Sequence, residues 1–500
     1  MMTKEEIGRA MDSKFPGVYI PTTAATKLVF EDGTILVGYF EYTKESDSLQ
    51  EENVYTFVEF NNAQSYRSTN DLKYITKVEG NKLKQVEYPS FRQINNSEKK
   101  IISTNEFKSI EIKSKLSITI INDLFKTLKQ FEDKNEFVNL KLPKKFDSSE
   151  FGILFSFLQF VATWVRSSVS GKLLLPVGNI ADAKDYLNNE FVYPVVVLSW
   201  EKPILDEVGN NIRANLKETS QEYFKNMEYF ELKEKLSVPI FCFDHDKRKS
   251  GHSRHFYDSN LNLLSEDSVS NNLFPAFVKI GNFNKTVFRD SIKEKYDSFV
   301  AIIHELFANT HEHAKTDEKG HNLYPNIRSI YLKFHKKTIQ SFLTTYKEFP
   351  GMQEFFKSDF QLNDVGELYL VEFSFLDSGP GLVKRFTGSS EIKSTEEQVE
   401  IIKKCLYRHN TSAQGLKSSK KGIGLDRVLQ TIDGKGFVRI KSGTVDIFRN
   451  MKKLQYKHHD NPSEIKLFDT QLNTSNKFTS FPETQGTLIS IFFALDYKRL

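Results

Sequence analysis

Cysteine is nearly absent: Cys242 and Cys405 are the only two in 500 residues. They stand far apart with no second pair, which excludes a disulfide framework and a cysteine-based zinc site and fits a reducing compartment. No excess charge of either sign is present either, because 69 Lys and Arg against 65 Asp and Glu leave only +4. That falls short of the basic surplus expected of a non-specific nucleic-acid binder and leaves nucleic acid neither favoured nor excluded. Long hydrophobic runs are missing too. The longest, FGILFSFLQFVATWV from Phe151 to Val165, is interrupted by Ser156, Gln159 and Thr163 and is too short for a bilayer. It reads as a buried helix. The opening residues, MMTKEEIGRAMDSKFPG, have charges but no apolar core, so no secretory signal is read. With 39% hydrophobic and 27% charged residues, the composition argues against a disordered chain. The expectation is a cytoplasmic protein with no membrane partner and about three domains of roughly 150 residues each.

What is there begins with strands. TKLVF and TILVGYFEYT flank Glu31-Asp32-Gly33, and Asp-Gly between β-branched and aromatic runs predicts a hairpin. NVYTFVEF (Asn53 to Phe60) alternates apolar and polar residues, and LKYITKV (Leu72 to Val78) does so less strictly. Four or five short strands close most readily into a small barrel, which leaves no exposed edge. The phrase LVFEDGTILVGYF resembles the opening hairpin of Sm-like or SH3-like barrels. Residues 1–90 are therefore read as a small β-rich domain, and the polar residues 91–106 as a linker.

Residues 107–274 carry an α/β pattern. FVNLKL (Phe137 to Leu142), KLLLPV after Gly171 and YPVVVL (Tyr193 to Leu198) read as strands, and Asp147-Ser148-Ser149 reads as the N-cap of the apolar helix from Phe151. The phrase NLKLPKKFDSSEFGILFSFL resembles the STAS domains of anti-sigma antagonists, which would make Ser148 or Ser149 a phosphoacceptor rather than a cap. Further on, FCFDHDKRKSGHSRHF gathers Asp244, His245, Asp246, His252 and His255. These are metal-ligand types. The interleaved Lys247, Arg248, Lys249 and Arg254 repel a cation, however, and favour a solvated or phosphate-facing loop.

The chemistry concentrates after Asp297. FVAIIHELFANTHEHA (Phe299 to Ala314) has a helical apolar face at Val300, Ile303, Leu306, Phe307 and Thr310. Glu305, Asn309 and His313 follow each other at intervals of four, which stacks them on one side of the helix. A carboxylate there can orient or deprotonate a nucleophile, and a carboxamide oxygen suits magnesium. The zinc-protease pattern HExxH fails because position 308 is alanine. Next, LYLVEFSFLDSGPG ends an apolar strand in Asp377-Ser378-Gly379-Pro380-Gly381. An Asp at a strand end can accept a hydrogen bond from an exocyclic amine, and glycines let backbone approach a flat ring. Then Lys421-Gly422-Ile423-Gly424-Leu425-Asp426 opens a helical pattern, where bare N–H groups and the helix dipole favour phosphate. Gly486-Thr487 finally leads into LISIFFAL.

The order of these four motifs resembles the GHKL superfamily of ATPases and kinases, over residues 275–500, and ELFANTHEHA resembles its anti-sigma serine-kinase branch most closely. The resemblance implies a C-terminal α/β sandwich whose mixed sheet is covered on one face by helices, with ATP and Mg2+ as cofactors. By it, Glu305 is the general base and Asn309 holds magnesium. Asp377 reads adenine, with Gly379, Gly381 and Thr487 shaping the pocket. Gly422, Gly424 and Leu425 form the phosphate-binding end of a lid, and His313 joins the site. The lid carries Lys403, Lys404, Arg408, Lys417, Lys420 and Lys421 and no acid; basic residues over a triphosphate stabilise the charge that develops. Lys421, beside the glycines, is the preferred one. The stretch between Lys315 and Leu368 is longer than a compact kinase domain needs and suits a partner contact.

The chain thus reads as a multidomain α+β protein: a small β-barrel, a central α/β domain and a GHKL sandwich. Its expected function is hydrolysis of Mg-ATP to drive a conformational change or control a protein partner in a bacterial-type signalling or defence system. A serine/threonine kinase of the anti-sigma type and a non-catalytic ATP-binding module are the alternatives. Homodimerisation is common in the family and leaves no mark in this sequence.

Overall fold

The computed structural model describes residues 26–40, 48–49, 52–59, 66, 72–87, 108–147, 150–244, 252–281, 291–407, 424–459 and 461–496. The chain is mixed α/β, with three sheets and twelve α-helices among the described residues, and it divides into two compact units, Met1–Phe107 and Lys108–Leu500.

In the first unit, β1 (Thr26–Phe30), β2 (Ile35–Phe40), β3 (Val54–Glu59), β4 (Ile75–Glu79) and β5 (Leu83–Glu87) form an antiparallel sheet in the order β4-β3-β2-β1-β5. The Asp-Gly hairpin is present: the Asp32 carboxylate accepts the Thr34 N–H at 2.8 Å, and Gly33 takes φ +88°. The outer strands β4 and β5 are joined by Gly80–Lys82 alone. Three residues reach about 10 Å, whereas five strands laid flat span about 19 Å. The sheet must therefore curl, and Leu28, Tyr55, Phe57, Val78 and Leu83 fill the enclosed core. Leu72–Tyr74, expected as the start of a strand, is a 3-10 turn leading into β4.

The second unit opens with a parallel sheet, β6 (Lys108–Glu111), β7 (Val138–Lys141), β8 (Ser170–Leu174) and β9 (Ile204–Leu205). Around it run α1 (Ile118–Asp133), α2 (Ile153–Arg166), α3 (Ile180–Leu187), α4 (Val192–Leu198) and α5 (Lys217–Glu228). Two expectations are corrected here. YPVVVL is not a strand but lies in α4, every residue of which is buried. Its β-branched side chains are packed on all sides, Tyr193 stacking on Tyr223 at 3.9 Å, and such burial overrides local strand preference. The cap of α2 is Gly152, at φ +64°, and not Asp147-Ser148-Ser149. Its entry donors find distant partners instead, Phe151 N–H on the Tyr346 hydroxyl and Gly152 N–H on the Glu372 carboxylate. Ser148 and Ser149 lie outside the described residues.

The larger sheet takes β10 (Ser237–Cys242), then, after α6 (Glu266–Gly281) and α7 (Lys293–His313), β11 (Arg328–Thr338). It continues through α8 (Ile339–Thr345), α9 (Pro350–Phe356), β12 (Glu367–Asp377), α10 (Leu382–Thr387), α11 (Thr395–Leu406) and α12 (Gly424–Thr431). β13 (Gly436–Gly443), β14 (Val445–Asn450), β15 (Phe468–Asp469) and β16 (Thr484–Ala494) complete it in the order β10-β11-β12-β16-β13-β14-β15.

Every pairing in this sheet is antiparallel, and both faces are covered, which corrects the expected mixed sheet with one covered face. Alternation along a strand sends successive side chains to opposite faces. On one face Phe373, Phe375, Ile489 and Ile491 pack with α7, Phe299 lying 4.8 Å from Phe373. On the other, Leu376, Leu488 and Phe492 pack with α2, Phe151 lying 4.3 Å from Phe492. The stretch between Lys315 and Leu368 builds β11, α8 and α9, and its Phe342, Tyr346 and Phe356 stack around Phe151. The outer strand β10 comes from the segment read as central, so residues on both sides of 275 build one sheet.

Candidate functional site

Asp377 ends β12 directly opposite Thr487 of β16 and Arg328 of β11. Counting by twos from Phe373 and Phe375, and back from Ile489 and Ile491, puts Asp377 and Thr487 on the α7 face of the sheet. The Asp377 carboxylate accepts the Gly379 N–H at 2.9 Å and a backbone hydrogen bond from Thr487. Burial pushes its pKa up to about 6, against the lowering pull of those N–H groups and of Arg166 and Arg328.

The glycines around it are tight. A β-carbon on Gly379 would stand 2.7 Å from Cα of Ala314, the residue that closes α7, so only glycine lets the Asp377 loop seat against that helix end. Gly381, at φ +86°, would meet the Ser442 hydroxyl at 2.9 Å. That hydroxyl accepts the Leu382 N–H at 3.0 Å and lies 3.3 Å from the Thr487 hydroxyl.

On α7 the expected apolar face is buried, from Phe299 through Thr310. Glu305 and Asn309 are partly buried, and neither makes a side-chain hydrogen bond among the described residues. Burial raises the pKa of Glu305, opposed by the nearby charges of His304 and Arg427. His313 sits one turn beyond Asn309, its Nε2 3.9 Å from the Glu312 carboxylate. His304, one residue before Glu305, is spent on a 3.0 Å contact with the Leu264 carbonyl.

The segment expected to form a lid is described only at its ends. Lys421, Gly422, Arg408, Lys417 and Lys420 lie outside the described residues. Gly424 is the first residue of α12 and Leu425 the second. Lys403 and Lys404 belong to α11, and Lys403 is buried against Glu400 at 2.6 Å, so Lys403 is withdrawn from any role over a polyphosphate.

The histidine-rich loop resolves into separate duties. Asp244 is forked by Arg328 at 2.6 and 2.8 Å, His252 packs edge-on to Tyr257, and His255 stacks on Phe230 with its pKa pushed down to about 4 by burial. No group of three potential ligands capable of holding a metal occurs among the described residues. His245 and Asp246 lie outside them.

Sequence reasoning missed Arg166. At the end of α2 it donates to the carbonyl of Ser378, inside the Asp377–Gly381 loop, to the Ser378 hydroxyl at 3.1 Å, to the Gln485 side chain at 3.1 Å and to the Pro325 carbonyl. The overlooked signal was the spacing of Ser156, Gln159, Thr163 and Arg166. These are not mere interruptions of an apolar run but a stripe that bonds across to the sheet: Ser156 with Arg439, Gln159 with Lys441 and Thr484, Thr163 with Gln485. Against known proteins, the chain matches no family model, no curated protein and no solved structure.

Proposed function

We propose that the Asp377 end of the larger sheet binds Mg-ATP and that the chain hydrolyses it in the manner of GHKL ATPases, with that sheet, β10 included, and the helices on its α7 face as the nucleotide-binding sandwich. One observation carries the reading: Asp377 and Thr487 stand opposite each other on the α7 face, closed in by Gly379, Gly381 and Gly486, where β-carbons would meet Ala314 at the end of α7, the Ser442 hydroxyl and the Asp377 carbonyl oxygen. Those glycines let the Asp377 loop, the end of α7 and the start of β16 pack closely around the carboxylate. That carboxylate, ionised above about pH 6, is fixed by two backbone N–H groups and accepts a hydrogen bond from the exocyclic amine of a flat base.

The flank of α7 completes the chemistry. Glu305 and Asn309, one turn apart and without hydrogen-bond partners among the described residues, fit a metal-bound polyphosphate. Magnesium would supply the positive charge that screens the phosphates. Asn309 offers its amide oxygen to the cation. Glu305, its proton affinity raised by burial, takes the proton of the attacking water at its carboxylate. His313 and the basic lid would meet the outer phosphates, with Lys421 favoured. ATP turnover of this kind drives conformational change or control of a protein partner.

The test is incubation of the purified chain with magnesium and γ-labelled ATP, counting free phosphate and protein-bound label separately. Free phosphate is the expected product. Label on the protein would make the chain a kinase, and absence of both signals with nucleotide bound would reduce it to a binding module.

A further inference from the structure

Arg166 stands outside the nucleotide-contacting residues and yet reaches the loop that carries them. This side chain belongs to α2, in the parallel-sheet half of the unit, and crosses to the opposite sheet's working end. It draws together three chain segments: Pro325 before β11, Ser378 after β12, and Gln485 at the start of β16. Those same strands carry Arg328, Asp377 and Thr487. The guanidinium has no ion pair among the described residues and is met by carbonyl and hydroxyl oxygens, the geometry of a planar fork used for position.

Ser378 is the pivot of this arrangement. It sits between Asp377 and Gly379, its N–H bonds the Ile327 carbonyl at 2.9 Å, and its hydroxyl contacts both the Ile327 N–H at 2.9 Å and the Asn326 side chain at 2.7 Å. A shift of Ser378 therefore moves the Asp377 carboxylate and the Gly379 N–H that orients it. Thr163, one turn before Arg166, accepts the Gln485 N–H at 3.0 Å and holds the start of β16, two residues before Thr487, from the same helix.

We propose that Arg166 is a positioning residue for the base-reading end of the site: it fixes Ser378 so that the Asp377 carboxylate is aimed at the exocyclic amine of adenine. The inference rests on the ATP reading above and adds a dependence of base selection on a helix that touches no nucleotide. A purely structural pin would weaken all nucleotides alike. An aiming device instead selects for the amine, so the contrast between ATP and inosine triphosphate, which lacks that amine, separates the two.

The experiment titrates ATP and inosine triphosphate with the full-length wild-type chain, Arg166→Lys and Arg166→Ala. The wild type is expected to prefer ATP. Both variants are expected to lose ATP affinity by on the order of 10-fold or more, since small misplacements at a site carry large costs. Their ATP-to-inosine-triphosphate preference should collapse towards unity, and added methylguanidinium should restore it in Arg166→Ala. If Arg166→Ala does not fold, Arg166→Lys decides, because it keeps the charge and loses the fork. An unchanged preference in a folded variant overturns the proposal while leaving the ATP reading standing. A wild-type chain that binds no ATP overturns both.

Discussion

Gly486 lies so close to Asp377 that a β-carbon at 486 would stand 1.8 Å from the Asp377 carbonyl oxygen, and the residue holds φ +72°. Two independent constraints therefore demand glycine immediately before Thr487. The Gly486→Ala chain is expected to lose nucleotide binding and to lose more stability than left-handed strain alone would cost, about 1–3 kcal/mol. Gly366 supplies the comparison, because it has φ +77° but open space, with nothing within 4 Å, where a methyl group would stand. Urea unfolding of the two alanine variants should separate strain from collision, and equal losses would remove the close approach from the account of the site.

On the proposed reading, Asp377 sets function against stability. Its folded pKa is raised from the ordinary 3.8 to about 6, with burial the largest cause. A carboxyl raised on folding contributes stability that is full below its unfolded pKa and is lost as pH rises through the folded value. Asp377→Asn should flatten the fall in unfolding free energy between about pH 4 and pH 6 and exceed the wild type by on the order of 1–3 kcal/mol at neutral pH. The same change presents an amide N–H to the adenine amine, so ATP binding should fall sharply. Unfolding curves across pH, paired with nucleotide titration, test both halves.

Local signals in the chain carried the local features. Asp32-Gly33 fixed a hairpin because its side chain and left-handed glycine act within four residues, and the spacing of Glu305, Asn309 and His313 fixed a helix flank. Features set by distant partners were not legible. YPVVVL has strand-forming residues, yet packing around α4 decides its state. The Asp-Ser-Ser cap was displaced because Tyr346 and Glu372, some 200 residues on, satisfy the start of α2. Strand direction and the second covered face depend on pairings such as Ser237–Lys333 that no local pattern encodes. Arg166, just past the apolar run, takes its oxygen partners from three separate segments that no local pattern brings together.

Phe151 is where the parallel-sheet half meets the larger sheet. Its ring lies 4.3 Å from Phe492, 4.3 Å from His335 and 5.6 Å from Tyr346, and it is fully buried. Truncation leaves a cavity that neighbouring rings cannot fill without breaking their own stacks. Phe151→Ala should cost about 3–5 kcal/mol. The loss should appear as one cooperative transition for Lys108–Leu500, since the core continues from α2 into the sheet without a break. Denaturation followed by near-ultraviolet signal and by limited proteolysis would check this, and two separated transitions would divide the unit at α2.

On the proposed ATPase reading, Glu305 is the residue on which hydrolysis turns. Nothing in binding a polyphosphate needs its carboxylate, and its negative charge opposes the phosphates. Glu305→Gln should therefore bind ATP at least as well as the wild type while turnover falls by about 10²–10⁴-fold, the range of general-base catalysis. The base must be ionised to act, so wild-type turnover should rise with pH through the pKa of Glu305. Burial raises that pKa, which moves the rising limb to higher pH than an exposed glutamate would give. The limb should vanish from the residual activity of Glu305→Gln. A variant that hydrolyses ATP at the wild-type rate with an unchanged pH profile would take the base away from α7 and leave that helix to metal and phosphate binding alone.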